Sequence, residues 1–207
     1  MEDKTKDLLE EINNDTTEIN ISDNELEGIL NLKKFKNIIT IDCQVNQIKK
    51  ISGLNDNVNV LNCKLNLIKS FSKLPSELTN LDCSFNQIKL LDKLPAKLKV
   101  LNCSNNQIKI LNNLPIGLSN LDCSTNLLSN LDYLPETIIH LNCSYNKIVS
   151  LNNLPNSLID LICINNMIIN LNNLPQNLTY INLSHNFFLE IENIKFPKNI
   201  KKIQFEK

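Results

Sequence analysis

Arginine is absent from this 207-residue chain, and so is tryptophan. All 21 basic residues are therefore lysine, so no guanidinium fork can clamp a phosphate or read a guanine, and no arginine finger exists. Only three glycines occur, which leaves no glycine-rich phosphate loop. No apolar run approaches the roughly 18 residues that a membrane helix needs. Neither sign of charge prevails: 21 bases against 22 acids leave a net charge of −1, which argues against a grip on nucleic acid through bulk charge. The first residues, MEDKTKDLLEEINND, are acidic and polar where a secretory signal would be basic and then apolar. The expectation is an intracellular, cytoplasmic chain with no signal peptide and no membrane association.

In excess are asparagine, with 37 residues, and leucine plus isoleucine, with 62. Beside a single alanine, this is the composition of an AT-rich genome. The seven cysteines, Cys43, Cys63, Cys83, Cys103, Cys123, Cys143 and Cys163, recur at every 20th residue. An odd count at one even spacing is not the pattern of a secreted disulfide scaffold. The period extends beyond cysteine, the sign of a repeat architecture. Asparagine recurs in register from Asn46 to Asn186, an aliphatic residue from Ile41 to Ile181, and a Leu-Pro pair at Pro75, Pro95, Pro115, Pro135, Pro155 and Pro175.

The unit Leu98–Gly117, LKVLNCSNNQIKILNNLPIG, reduces to L-x-x-L-x-C-x-x-N-x-I-x-x-L-x-x-L-P. It resembles the leucine-rich repeat, L-x-x-L-x-L-x-x-N-x-L, with cysteine in the third leucine place. Its length and Leu-Pro pair are similar to the short class of bacterial effectors and of large DNA viruses of amoebae. Eight units cover residues 38–197, preceded by a degenerate unit over 16–37 and followed by a terminal strand over 198–207. Residues 1–15 carry Leu8, Leu9 and Ile12 at helical spacing and read as a short N-terminal cap helix. The fold class expected is an α/β-type, mostly β solenoid, right-handed, with a parallel concave sheet and irregular convex segments.

Alternation within Val100-Leu101-Asn102-Cys103 sends Leu101 and Cys103 inward and Val100 and Asn102 outward. Inward cysteines on parallel strands run in a line at about 4.8 Å spacing. They neither converge on a metal nor meet disulfide geometry, so they are expected to be free core residues, with no metal and no cofactor. In the resembled repeats the recurrent asparagine forms a hydrogen-bonded ladder, a role the resemblance implies for Asn46 through Asn186.

Two surface patterns bear on function. Lys49, Lys69, Lys89 and Lys109 share one column in four consecutive units, as an attraction for an anionic partner or as a solvated edge. On the outward strand face Asp42, Asn62, Asp82, Asn102, Asp122 and Asn142 alternate, which keeps like charges off adjacent strands. Ile162 breaks that series. Around the break lie His140, Tyr145, Asp160, Ile162, Ile164, Tyr180 and His185, aromatic and apolar side chains of the kind that anchor interfaces. They are the candidate partner-binding residues, weighed against drift in an isoleucine-rich sequence. Only two histidines exist, with no nucleophile motif near either, so no enzyme is expected. The function expected is a monomeric protein-interaction module with a protein partner on the concave face. The lysine stripe is the alternative, and nucleic acid is disfavoured.

Overall fold

Each repeat from Leu78 onward enters its strand through the same turn. The carbonyl of Pro95 accepts the N–H of Leu98 at 3.1 Å, and that of Pro115 the N–H of Leu118 at 3.0 Å. Proline suits this corner because it presets φ and needs no partner for an N–H it lacks. A computed structural model describes residues 2–169, 171–188 and 194–206.

The chain begins with helix α1 (Glu2–Glu11), followed by strands β1 (Glu18–Asn20), β2 (Glu27–Asn31), β3 (Thr40–Asp42), β4 (Gln47–Ser52), β5 (Val60–Asn62) and β6 (Asn80–Asp82). Then come β7 (Val100–Asn102), β8 (Asn120–Asp122), β9 (His140–Asn142), β10 (Asp160–Ile162), β11 (Tyr180–Asn182) and β12 (Lys202–Gln204). Ten of them, all except β2 and β4, form one parallel sheet in chain order. Register follows the repeat, so like pairs with like: Leu101 opposes Leu121, and Asn102 opposes Asp122. At the ends Ile19 opposes Ile41 and Ile181 opposes Ile203, each step two residues longer than the interior period of 20. The fold is thus the mostly β, parallel-strand solenoid that the repeat implies.

The core is a stack of columns. Leu101, Cys103, Ile108 and Leu98 are each at most 1% exposed, and their equivalents in other units are buried with them. At the N-terminal end Leu9 of α1 is buried, Leu8 and Ile12 pack against the core, and the helix lies against β2.

One departure concerns the convex side. The expected irregular backbone holds from the third unit on, but β2 and β4 pair as a two-stranded parallel sheet over the first two units. Gly53 accounts for it. With φ +72° and no Cβ, it lets the chain close on Lys33, whose backbone nitrogen would lie 2.4 Å from an added Cβ. The same place in the next unit is Lys73, which carries the Cβ that Gly53 lacks.

Candidate functional site

The recurrent asparagines knit neighbouring units. Asn106 donates from Nδ2 to the carbonyls of Cys83 (3.0 Å), Cys103 (3.1 Å) and Ser104 (3.1 Å), while its Oδ1 accepts the N–H of Ile88 at 2.9 Å. Each such side chain serves backbone groups that the turn leaves unpaired, which is why no other residue type fills the column. The residue just before it pays a conformational toll: Val45, Leu65, Phe85, Asn105, Thr125, Tyr145, Asn165 and His185 all have φ between 51° and 56°. Left-handed backbone favours asparagine and is strained for β-branched Val45.

All seven cysteines are buried and free. Burial pushes every thiol upward from its ordinary value of 9.0, to about 12 in Cys43, where the Asp42 carboxylate adds to the effect. Among the described residues no group of three or more His, Cys, Asp or Glu is placed to hold a metal.

On the concave face the alternating acids and amides form rungs. The Asp82 carboxylate accepts the Ser84 N–H (2.9 Å), the Ser84 hydroxyl (2.6 Å) and Asn102 Nδ2 (3.2 Å). Asp122 repeats this with Ser124 and with Asn142, whose Nδ2 lies 3.1 Å away. The alternation therefore does more than separate charge: Asn102 and Asn142 each donate back to the aspartate before them. At Ile162 no such rung can form.

A groove of about 440 Å³ opens on this face between β7 and β11. His140, Asp160, Ile162 and Tyr180 line its C-terminal end. His140 Nδ1 lies 2.6 Å from Asp160 Oδ2, and the Thr179 hydroxyl donates to Asp160 Oδ1 at 3.5 Å. Tyr180 donates its hydroxyl to Gln204 Oε1, which also accepts from Asn182 Nδ2 at 2.8 Å, and Lys202 Nζ lies 5.5 Å from the Tyr180 ring centroid. Gln204 and Lys202 of β12 thus hold one wall. Sequence reasoning passed them over, although Ile203 marks that strand's register.

The other three candidates stand apart from the groove lining. Tyr145 and His185 occupy the left-handed column beyond the strands, at φ 55° and 56°, and are exposed. Ile164 lies two residues past β10, its N–H donating to the Ser144 hydroxyl at 3.2 Å and its carbonyl accepting the Tyr145 N–H at 2.7 Å. Ile162 and Ile164 are half-buried rather than fully exposed, because neighbouring units cover their flanks. The lysine stripe lies elsewhere, on the segments after the ladder asparagines. Lys49, Lys69, Lys89 and Lys109 are all exposed, and none is in an ion pair among the described residues.

No family model and no curated protein sequence matches the chain. Solved structures do match. YopM from Yersinia pestis, described as a leucine-rich effector protein, superimposes with a TM-score of 0.81 and 28% identity, over 91% of this chain and 59% of its own. A leucine-rich-repeat domain of a Shigella effector gives 0.67 and 20%, over 99% of this chain and 86% of its own. InlJ from Listeria monocytogenes, whose functional domain is described as including a cysteine ladder, gives 0.58 and 21%, over 92% and 53%. The chain therefore spans about three-fifths of that YopM. No helix among the described residues is long and apolar enough to cross a membrane.

Proposed function

We propose that this chain, a leucine-rich-repeat solenoid, is a monomeric protein-interaction module that takes its partner into the C-terminal half of its concave face. The observation that carries this is the convergence of His140, Asp160, Ile162 and Tyr180 on one groove, at the point where the Asp–Asn rungs stop. A polar ladder interrupted by an isoleucine offers apolar area beside rigid aromatic surface, the composition of an interface centre. Tyr145, Ile164 and His185 extend the contact toward the rim. The groove favours binding over catalysis: the hydroxyl beside the His140–Asp160 pair, that of Thr179, is turned to the Asp160 carboxylate at 3.5 Å and is not part of the groove lining. The effector likeness of the structural neighbours supports the same general reading.

The test uses the full chain and a partner captured from the native host. Ile162→Asn with Ile164→Ser installs residue types that other units carry at these places, and the fold should survive. Partner affinity should fall tenfold or more, about 1.4 kcal/mol, while Lys69→Gln with Lys89→Gln leaves it unchanged. If the concave variant binds as tightly as the parent and the lysine variant does not, the stripe and an anionic partner replace this reading.

A further inference from the structure

A second hollow, of about 680 Å³, lies at the opposite end of the molecule, between α1 and the convex side of the first unit. Its size falls in the range of roughly 300–1,000 Å³ typical of small-molecule sites. Leu9 from the helix and Ile29 from β2 give it apolar walls, and Ile29 is 60% exposed although it sits in a strand. Lys33, Lys34 and Lys36 line it from the turn after β2, and Lys6 from the helix. Two acids also line it: Glu10, 3.8 Å from Lys6, and Glu27. Lysines therefore outnumber acids, and Lys33, Lys34 and Lys36 have no ion-pair partner among the described residues.

The lysine turn is built rather than loose. Leu32 just before the lysines and Phe35 between them are each 1% exposed and anchor the turn in the core. The Lys33 N–H donates to Asn31 Oδ1 at 3.1 Å, and Gly53 admits the backbone of Lys33 where any side chain would collide. An independent observation comes from the other wall. Thr5 lines the hollow and is 6% exposed, yet its buried hydroxyl has no hydrogen-bond partner among the described residues. A threonine on a helix ordinarily bonds a carbonyl one turn back, and a buried hydroxyl left unpaired costs stability unless something else satisfies it.

We infer that this hollow binds a single-chain amphiphile with an anionic head, a medium-chain carboxylate in the simplest case. The chain lies against Leu9 and Ile29, the head is met by the lysine turn, and the Thr5 hydroxyl turns from its buried position to donate to it. An exclusively apolar ligand would leave the lysines unused, and an inorganic anion would leave Ile29 uncovered.

Calorimetric titration of the full chain with decanoate, below its micelle concentration, tests this directly. The expected result is saturable one-to-one binding, at least tenfold weaker for decanol and for the Lys33→Gln/Lys36→Gln variant, and weaker for Thr5→Val. Glutamine keeps an extended polar side chain without adding charge beside the acidic α1, and circular dichroism checks that each variant is folded. Absence of saturable decanoate binding overturns the inference, as does equal affinity for decanol or for the folded glutamine variant. Binding only to anionic phosphatidylglycerol vesicles, with none to free decanoate, also overturns it. The groove variant Ile162→Asn/Ile164→Ser should bind decanoate as the parent does, so this result stands apart from the concave-face proposal.

Discussion

The side-chain oxygen of Asn126 accepts the backbone N–H of Ile108 at 2.9 Å, reaching back 18 residues into the preceding unit. Its Nδ2 meanwhile donates to the carbonyls of Cys103, Cys123 and Ser124 at 3.0–3.2 Å. One amide thus joins two units through four contacts, at 6% exposure. Parallel strands of three residues offer few ladder bonds of their own, so the stack depends on these side chains for the backbone groups beyond the strands.

Asn126→Ala should therefore lower stability by roughly 1–3 kcal/mol for the backbone groups it orphans. Asn112, exposed in the same repeat array, should tolerate alanine with little change. Urea denaturation of both variants decides the point. Equal midpoints would mean that the column reflects composition and not structure.

The cysteines make stability sensitive to alkali. A thiol whose folded pKa is raised above its unfolded value stabilises the fold fully below that unfolded value, and this contribution is lost as pH climbs through the folded one. For Cys43 the window runs from 9.0 to about 12. Within such a window each thiol removes about 1.4 kcal/mol per pH unit. Denaturation midpoints should fall steeply above pH 9, and less steeply in Cys103→Ala. In native protein near neutral pH, thiol reagents should react slowly, with all seven thiols becoming titratable on unfolding. A flat midpoint between pH 8 and 10.5 would contradict the burial of the column.

Val45 holds a β-branched side chain at φ 55°, where asparagine stands in two other units at φ 52° and 53°. Val45→Asn should raise stability by about 0.5–1 kcal/mol, and the mirror change Asn105→Val should lower it by a similar amount or more. Thermal unfolding of the pair should show shifts of opposite sign. Shifts of the same sign would locate the effect in side-chain packing.

Removing residues 1–15 takes away Leu9 and the helix that lies against β2. The uncovered strand keeps an unpaired edge and apolar side chains, the features that drive edge-to-edge association. The truncated chain should dimerise or aggregate in light scattering, and a monodisperse monomer would remove the capping role from α1.

Much of this was legible in the residues because a period of 20 constrains every unit alike. The inward places of Leu101 and Cys103, the turn at each Leu-Pro pair and the ladder role of the asparagines repeat in register, so one unit read correctly reads all of them. Strand pairing of like with like, Leu101 opposite Leu121, is the direct consequence of that period. What the sequence could not supply is any contact that crosses the period. The β2–β4 sheet arises because Gly53 closes on Lys33, and only their approach in space reveals that a missing Cβ matters there. The candidate surface divided for a similar reason. His140, Asp160, Ile162 and Tyr180 line the groove, whereas Tyr145 and His185, themselves left-handed at the strand exit, stand outside its lining. Periodicity assigns a residue to a face, since alternation along a strand is local; which faces meet, and around what hollow, is decided by backbone curvature and close approach between distant turns.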